Sequence, residues 1–235
     1  LTSVGGLLLI RDNRSLSNLD GLANLASVGD YLTIQSNNNL TNLDGLANLT
    51  SVGGGLFIYG NNSLTNLDGL VSLTSVGDRL YIELNTRLTN LDGLASLTSV
   101  GGSLDILSNS NLTNCQGVAP VLGWPSGPPD DSVGGDITIQ NNGTDCASIE
   151  AILASVPVEV PSTPQITNTD YGNEEIYLTV SDSGGSPITS YTATCTDGTT
   201  PYTGTSSTSR ITVSGLTNGV GYSCSVTATN AKGTS

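Results

Sequence analysis

"LTNLDGLANLTSVGGGLFIYGNN", residues 40–62, is nearly interchangeable with residues 16–38, 64–86 and 88–110. Leu1, Leu25, Leu49, Leu73 and Leu97 mark the same frame at a constant interval of 24 residues, with no insertion between them. Within the frame Val28, Leu32, Ile34, Leu40, Leu43, Leu46 and Leu49 recur as apolar positions, while Asn37 and Gly45 recur as invariably non-apolar ones. A single 24-residue unit cannot bury that ring of side chains by itself. Stacked units can, because each apolar position then lies on its equivalent about 4.8 Å away, and a fixed period of this length is the mark of a solenoid.

In the strand-like "L.I" of each unit the Leu and Ile point inward, so the residues beside them share one outward sheet face. That face reads Tyr31, Thr33, Gln35, then Gly55, Phe57, Tyr59, then Arg79, Tyr81, Glu83. Its aromatics fall in adjacent repeats, flanked by Arg11, Gln35, Arg79 and Glu83. Tyr31, Gln35, Phe57, Tyr59, Arg79, Tyr81 and Glu83 are therefore the candidate ligand-binding residues, a patch suited to a sugar ring or a protein. Cross-strand aromatic ladders also stabilise sheets, which is the purely structural account of the same residues.

Composition narrows the function classes. A formal charge of −14 with only six basic residues in 235 excludes phosphate neutralisation along a nucleic acid and disfavours anionic membranes. There is no apolar run of the ~18 residues a membrane span needs. The sequence has no Met and no leader, so it is read as a processed or excised piece. It has no His, which rules out His-based nucleophilic catalysis, and no CxxC that would favour zinc; no cofactor and no enzymatic activity are expected.

Cys115 and Cys146 lie in the first part of the chain, Cys195 and Cys224 in the second. One even pair per region leads us to expect two disulfides, Cys115 with Cys146 and Cys195 with Cys224, and an oxidising compartment. After Leu112 the repeat degrades, takes a Pro- and Gly-rich insertion of nine residues, and resumes at Val133, Ile137, Ile139 and Asn142. Ile149, Ile152, Leu153 and Val156 then follow at helical spacing behind Asp145 or Ser148 as N-cap, which predicts a short helix capping the open end of the stack. Pro157, Pro161 and Pro164 mark a boundary. We place one domain at 1–157, a Pro-rich linker at 158–163 and a second domain at 164–235, whose alternating runs "EIYLTVSD", "ITSYTATCTDG", "SRITVSGL" and "GYSCSVTATN" predict an antiparallel sandwich.

The units with "SVGG.L.I..N..L..LDGL" resemble the receptor L domain, a right-handed solenoid related to leucine-rich repeats that forms ligand-binding lobes of growth-factor receptors. Such uniform tandem copies look most like bacterial surface versions. Residues 164–235 are similar to fibronectin type III domains, with Leu216 and Tyr222 of "LTNGVGYSCSVTATN" in the tyrosine-corner positions. The usual strand-B Trp is missing, and the chain is read as stopping before the last strand. The resulting expectation is a mainly β protein: a right-handed parallel β solenoid of 24-residue coils with a short C-terminal capping helix, followed by an antiparallel β-sandwich.

Three further columns need a reading. Asp20, Asp44, Asp68 and Asp92 are expected to accept backbone N–H groups in their turns; calcium bridging along that column, or in "PPDDSVGGD", is the sharper alternative. Asn13, Asn37, Asn61, Asn85, Asn109 and Asn142 resemble the structural asparagine ladder of leucine-rich repeats. Thr and Ser columns, such as Thr50, Thr74 and Thr98, raise ice binding as a minor alternative to turn and edge hydrogen bonding. The whole pattern implies an extracellular or cell-surface recognition or adhesion protein binding a glycan or protein. The alternative is a structural subunit that self-associates head-to-tail through open ends into a fibre.

Overall fold

A computed structural model of the chain describes residues 1–124, 132–181 and 188–235. The chain is mainly β and forms two units, Leu1–Val156 and Pro157–Ser235, each treated by itself below.

In the first unit the first five repeats each contribute a short strand and a longer one, and the sixth a longer one only. In chain order these are β1 (Ser3–Val4), β2 (Leu8–Arg11), β3 (Ser27–Val28), β4 (Leu32–Gln35), β5 (Ser51–Val52), β6 (Leu56–Tyr59), β7 (Ser75–Val76), β8 (Leu80–Glu83), β9 (Ser99–Val100), β10 (Leu104–Leu107) and β11 (Ile137–Gln140). The short strands form one parallel sheet, β1-β3-β5-β7-β9, and the long ones another, β11-β10-β8-β6-β4-β2. Leu32 pairs with Leu56 and Leu56 with Leu80, so equivalent residues stack on one another. The core is a set of like-on-like columns, with Leu32, Leu56, Leu80 and Leu104 all fully buried. Its geometry depends on the glycine of each "LDGL": a Cβ on Gly69 would stand 1.8 Å from the Leu43 carbonyl oxygen, so only hydrogen fits where neighbouring repeats touch.

Polar columns hold the repeats in register. Asn37, Asn61, Asn85 and Asn109 are fully buried. The Asn61 Oδ1 accepts from the Asn37 backbone N–H at 3.0 Å, while its Nδ2 donates to the Ile34 carbonyl at 2.9 Å. Each buried amide thus satisfies backbone groups of the preceding repeat that would otherwise be desolvated without a partner. The hydroxyls of Thr50, Thr74 and Thr98 each donate at 3.0 Å to a carbonyl one repeat back, so their protons are engaged within the protein.

The turn reading of the Asp column is corrected. Short 3-10 turns begin at Asp20, Asp44, Asp68 and Asp92, but the acceptor of each first N–H is the Asn two residues earlier: Asn42 Oδ1 takes the Asp44 N–H at 3.1 Å. An Asn placed there reaches its own i+2 amide, the geometry of an Asx turn, and leaves the Asp carboxylate exposed. Asp92 alone among these acids accepts a side-chain bond, from the Asn114 amide at 3.1 Å.

The helix α1 (Ile149–Ser155) starts at Ser148, whose hydroxyl accepts from the Ala151 N–H at 3.2 Å. Ile152 is fully buried, and Ile149, Leu153 and Val156 pack on the same core. The Cys115–Cys146 disulfide lies just ahead of this helix, and Gln116 donates from Nε2 to the Ser155 carbonyl at 2.8 Å.

The second unit has two antiparallel sheets. Its strands are β12 (Ile166–Tyr171), β13 (Glu175–Val180), β14 (Ser190–Thr196), β15 (Pro201–Ser206), β16 (Arg210–Ser214), β17 (Ser223–Asn230) and β18 (Gly233–Thr234), in sheet orders β12-β13-β16 and β15-β14-β17-β18. Cys195 and Cys224 stand opposite each other on β14 and β17 and are bonded. The Tyr222 hydroxyl accepts from the Thr217 N–H at 3.0 Å, and Leu216 beside it is buried. Strands β12 and β15 were not among the expected runs, because Pro201, Gly204 and the exposed polar residues of β12 dilute the alternation. At its C-terminal side Gly233–Thr234 pairs with β17. The Asn230 Oδ1 makes this turn by accepting from the N–H groups of Lys232 and Gly233. Segment 158–163 also belongs to this unit, with Pro161 buried and the Glu159 carbonyl accepting from Asn230 Nδ2 at 2.6 Å.

Candidate functional site

The outward side chains of β4, β6, β8 and β10 form three columns. The register sets Thr33, Phe57, Tyr81 and Asp105 side by side, and next to them Gln35, Tyr59, Glu83 and Leu107. The third column is made by the residues just before the strands: Tyr31, Gly55, Arg79 and Ser103. Because period-two alternation sends the Leu and Ile of each strand into the core, whatever occupies these positions faces out.

Four rings make a continuous ladder. Tyr31 lies 5.9 Å from Phe57, Phe57 6.1 Å from Tyr81, and Tyr81 6.1 Å from Tyr59, measured between ring centroids. The first two pairs are tilted by 45° and 47°, and the last is edge-on at 76°, arrangements that the quadrupoles of aromatic rings prefer over face-to-face stacking. Gly55 makes the ladder possible. A Cβ there would come within 2.6 Å of the Phe57 ring, which lies over the glycine. Tyr31 reaches two repeats along the stack, its hydroxyl donating to Asp78 Oδ2 at 3.4 Å.

The polar residues are tied to the rings and to one another. Arg79 Nε donates to Asp105 Oδ2 at 2.6 Å, and its guanidinium carbon stands 4.5 Å from the centre of the Tyr81 ring. That is a cation–π contact supported by an ion pair. The Tyr81 hydroxyl donates to the Glu83 carboxylate. Burial pushes the Tyr81 hydroxyl up to about 12, with the hydrogen bond to Glu83 and then the Glu83 charge acting in the same direction.

Neither a protein-family model nor a curated protein matches the chain.

The structure thus brings Tyr31, Phe57, Tyr59, Arg79, Tyr81 and Glu83 into one contact network. Gln35 joins it by register with Tyr59. Sequence reasoning missed Asp105, Asp78 and Gly55. Asp105 occupies the Tyr81 column one repeat further on and is almost fully buried; an acid at an outward position one repeat from Arg79 is the signal that could have found it. Asp78 and Gly55 had no comparable signal, since their roles come from how far the Tyr31 side chain reaches across repeats and how the Phe57 ring lies over its own repeat.

Among the described residues no three or more His, Cys, Asp or Glu side chains are grouped to hold a metal ion, and no helix is long and apolar enough to cross a membrane. Asp130 and Asp131 of the "PPDDSVGGD" loop lie outside the described residues. Melting with and without a chelator decides the calcium question, and we expect no shift.

Proposed function

We propose that the chain is a non-enzymatic extracellular recognition or adhesion protein, whose β4–β10 face binds a glycan or protein ligand. In this reading the first unit is a right-handed solenoid of 24-residue coils related to receptor L domains, and the second a fibronectin type III-like sandwich. The parallel register of equivalent positions and the three-plus-four sheet orders support those likenesses. The two disulfides support an oxidising, extracellular setting.

The observation that carries the function is the ring ladder itself. Tyr31 is 40% exposed, and Phe57, Tyr59 and Tyr81 are partly exposed on a face whose other positions include Thr33, Gln35, Arg79, Glu83 and Ser103. Clustered aromatics presented outward from a rigid sheet are the common anchor of binding surfaces. A fibre built head-to-tail has less support, because α1 packs over the core at one end of the stack.

Tyr59→Ala combined with Tyr81→Ala tests the proposal on a glycan array and on immobilised extracellular proteins. The expected result is lost binding with stability reduced by no more than about 1 to 2 kcal/mol, since only partly exposed ladder contacts disappear. Unchanged binding by the double variant would return the ladder to a purely structural role.

A further inference from the structure

At the end of each long strand one residue takes a left-handed backbone conformation: Asp12 (φ 58°), Ser36 (54°), Gly60 (67°), Leu84 (55°), Ser108 (55°) and Asn141 (58°). Gly, Asn and Asp tolerate this region best, and the serines are at least short and polar. Leucine is disfavoured there, because its Cβ crowds the following carbonyl. Burial does not compensate, since Leu84 is 48% exposed. It directly follows Glu83 on β8, the last strand of the ladder, and its own backbone N–H is used in pairing with the Leu107 carbonyl at 3.3 Å. An exposed, strained apolar residue beside a binding face indicates use by a ligand.

The surroundings narrow the ligand's chemistry. The rings are tilted onto one another and form no flat platform for a sugar. Four of the groups that could bind sugar hydroxyls are already paired among themselves, Arg79 with Asp105 and Tyr81 with Glu83. Acids outnumber cations around the face: Asp78, Glu83, Asp105 and Asp136, which directly precedes β11, stand against Arg79 and Arg11, and the chain as a whole carries −14. Arg79 over Tyr81 shows a guanidinium already accommodated by one of these rings.

Resting on the recognition reading above, we propose that the ligand is a basic polypeptide segment with Lys or Arg side chains set among apolar ones, and that Leu84 is the apolar contact that extends the ladder. Acidic residues and ring faces attract the cations, while Leu84 with Leu107 takes the apolar side chains between them.

The test uses two capped seven-residue peptides of equal charge, one alternating Lys and Leu, the other Lys and Ser, titrated into the full chain by calorimetry at physiological salt. The Lys–Leu peptide is expected to bind at least about tenfold more tightly. Leu84→Gly should remove most of that difference while raising the melting temperature of the first unit by about 2–4 °C, because the strain is relieved. Leu84→Asn, which also suits the backbone, should behave alike. Equal binding of both peptides, or a Lys–Leu preference untouched in both variants, overturns the proposal. If a glycan binds the wild type and is lost in the Tyr59→Ala, Tyr81→Ala variant, the recognition face stands and only the polypeptide assignment falls. If the ladder variant changes neither kind of binding, both fall.

Discussion

Tyr81 concentrates the physics of the face in one side chain, touching two rings, a guanidinium and a carboxylate. An unfolded tyrosine ionises near 10, whereas this one is pushed up to about 12. Folding therefore favours the protonated form. The associated stability is complete below about pH 10 and is lost as pH rises through 12. Titrating tyrosinate absorbance in the wild type and in Tyr81→Phe should give a difference spectrum that rises near 12, and Glu83→Gln should move that step down; a difference spectrum rising near 10 contradicts the network. The buried asparagines show the opposite use of polarity. Asn61 faces no solvent; its amide closes backbone hydrogen bonds between repeats and bonds the next Asn of the column, which is why Asn recurs where the other column positions are Leu, Ile and Val.

Among the elements, α1 with its disulfide determines how the stack ends. Cys115 occupies a core column position and Cys146 stands just before the helix, both fully buried and 31 residues apart in sequence. Closing a loop of that length in the unfolded chain is worth about 3–4 kcal/mol. Replacing both cysteines by Ala should lower the first unit's stability by about that amount in urea titrations. Hydrogen exchange should quicken first in α1 and β11 and last in β6 and β8, which have neighbours on both sides. Uniform exchange along the stack would mean that the cap is not the weak point. The helix was legible beforehand, since Ile149, Ile152, Leu153 and Val156 recur at helical spacing. Strands β12 and β15 were not, because an edge strand carries little apolar alternation and its pairing partner is what makes it a strand.

At the scale of the whole molecule, each unit holds its own core and its own disulfide. Residues 1–156 and 157–235, produced separately, should therefore each fold and melt cooperatively; a second unit without a melting transition would show that its core is insufficient alone. The sequence alone determined the columns. A strict period of 24 with Leu, Ile, Val, Asn and Gly at set places leaves one arrangement that buries every apolar position, and it assigns the outward residues by alternation. Cysteine pairing was legible for the same reason, one pair falling within each pattern. What only the tertiary structure decided is how side chains and backbone settle around that period: Asp105 paired with Arg79, Tyr31 reaching Asp78, the Phe57 ring lying over Gly55, and Leu84 exposed in a left-handed turn. A period fixes which backbones are neighbours. How far a side chain extends across those neighbours, and which backbone angles the strand ends impose, follow from packing in three dimensions, where residues 26 or 47 apart in sequence meet.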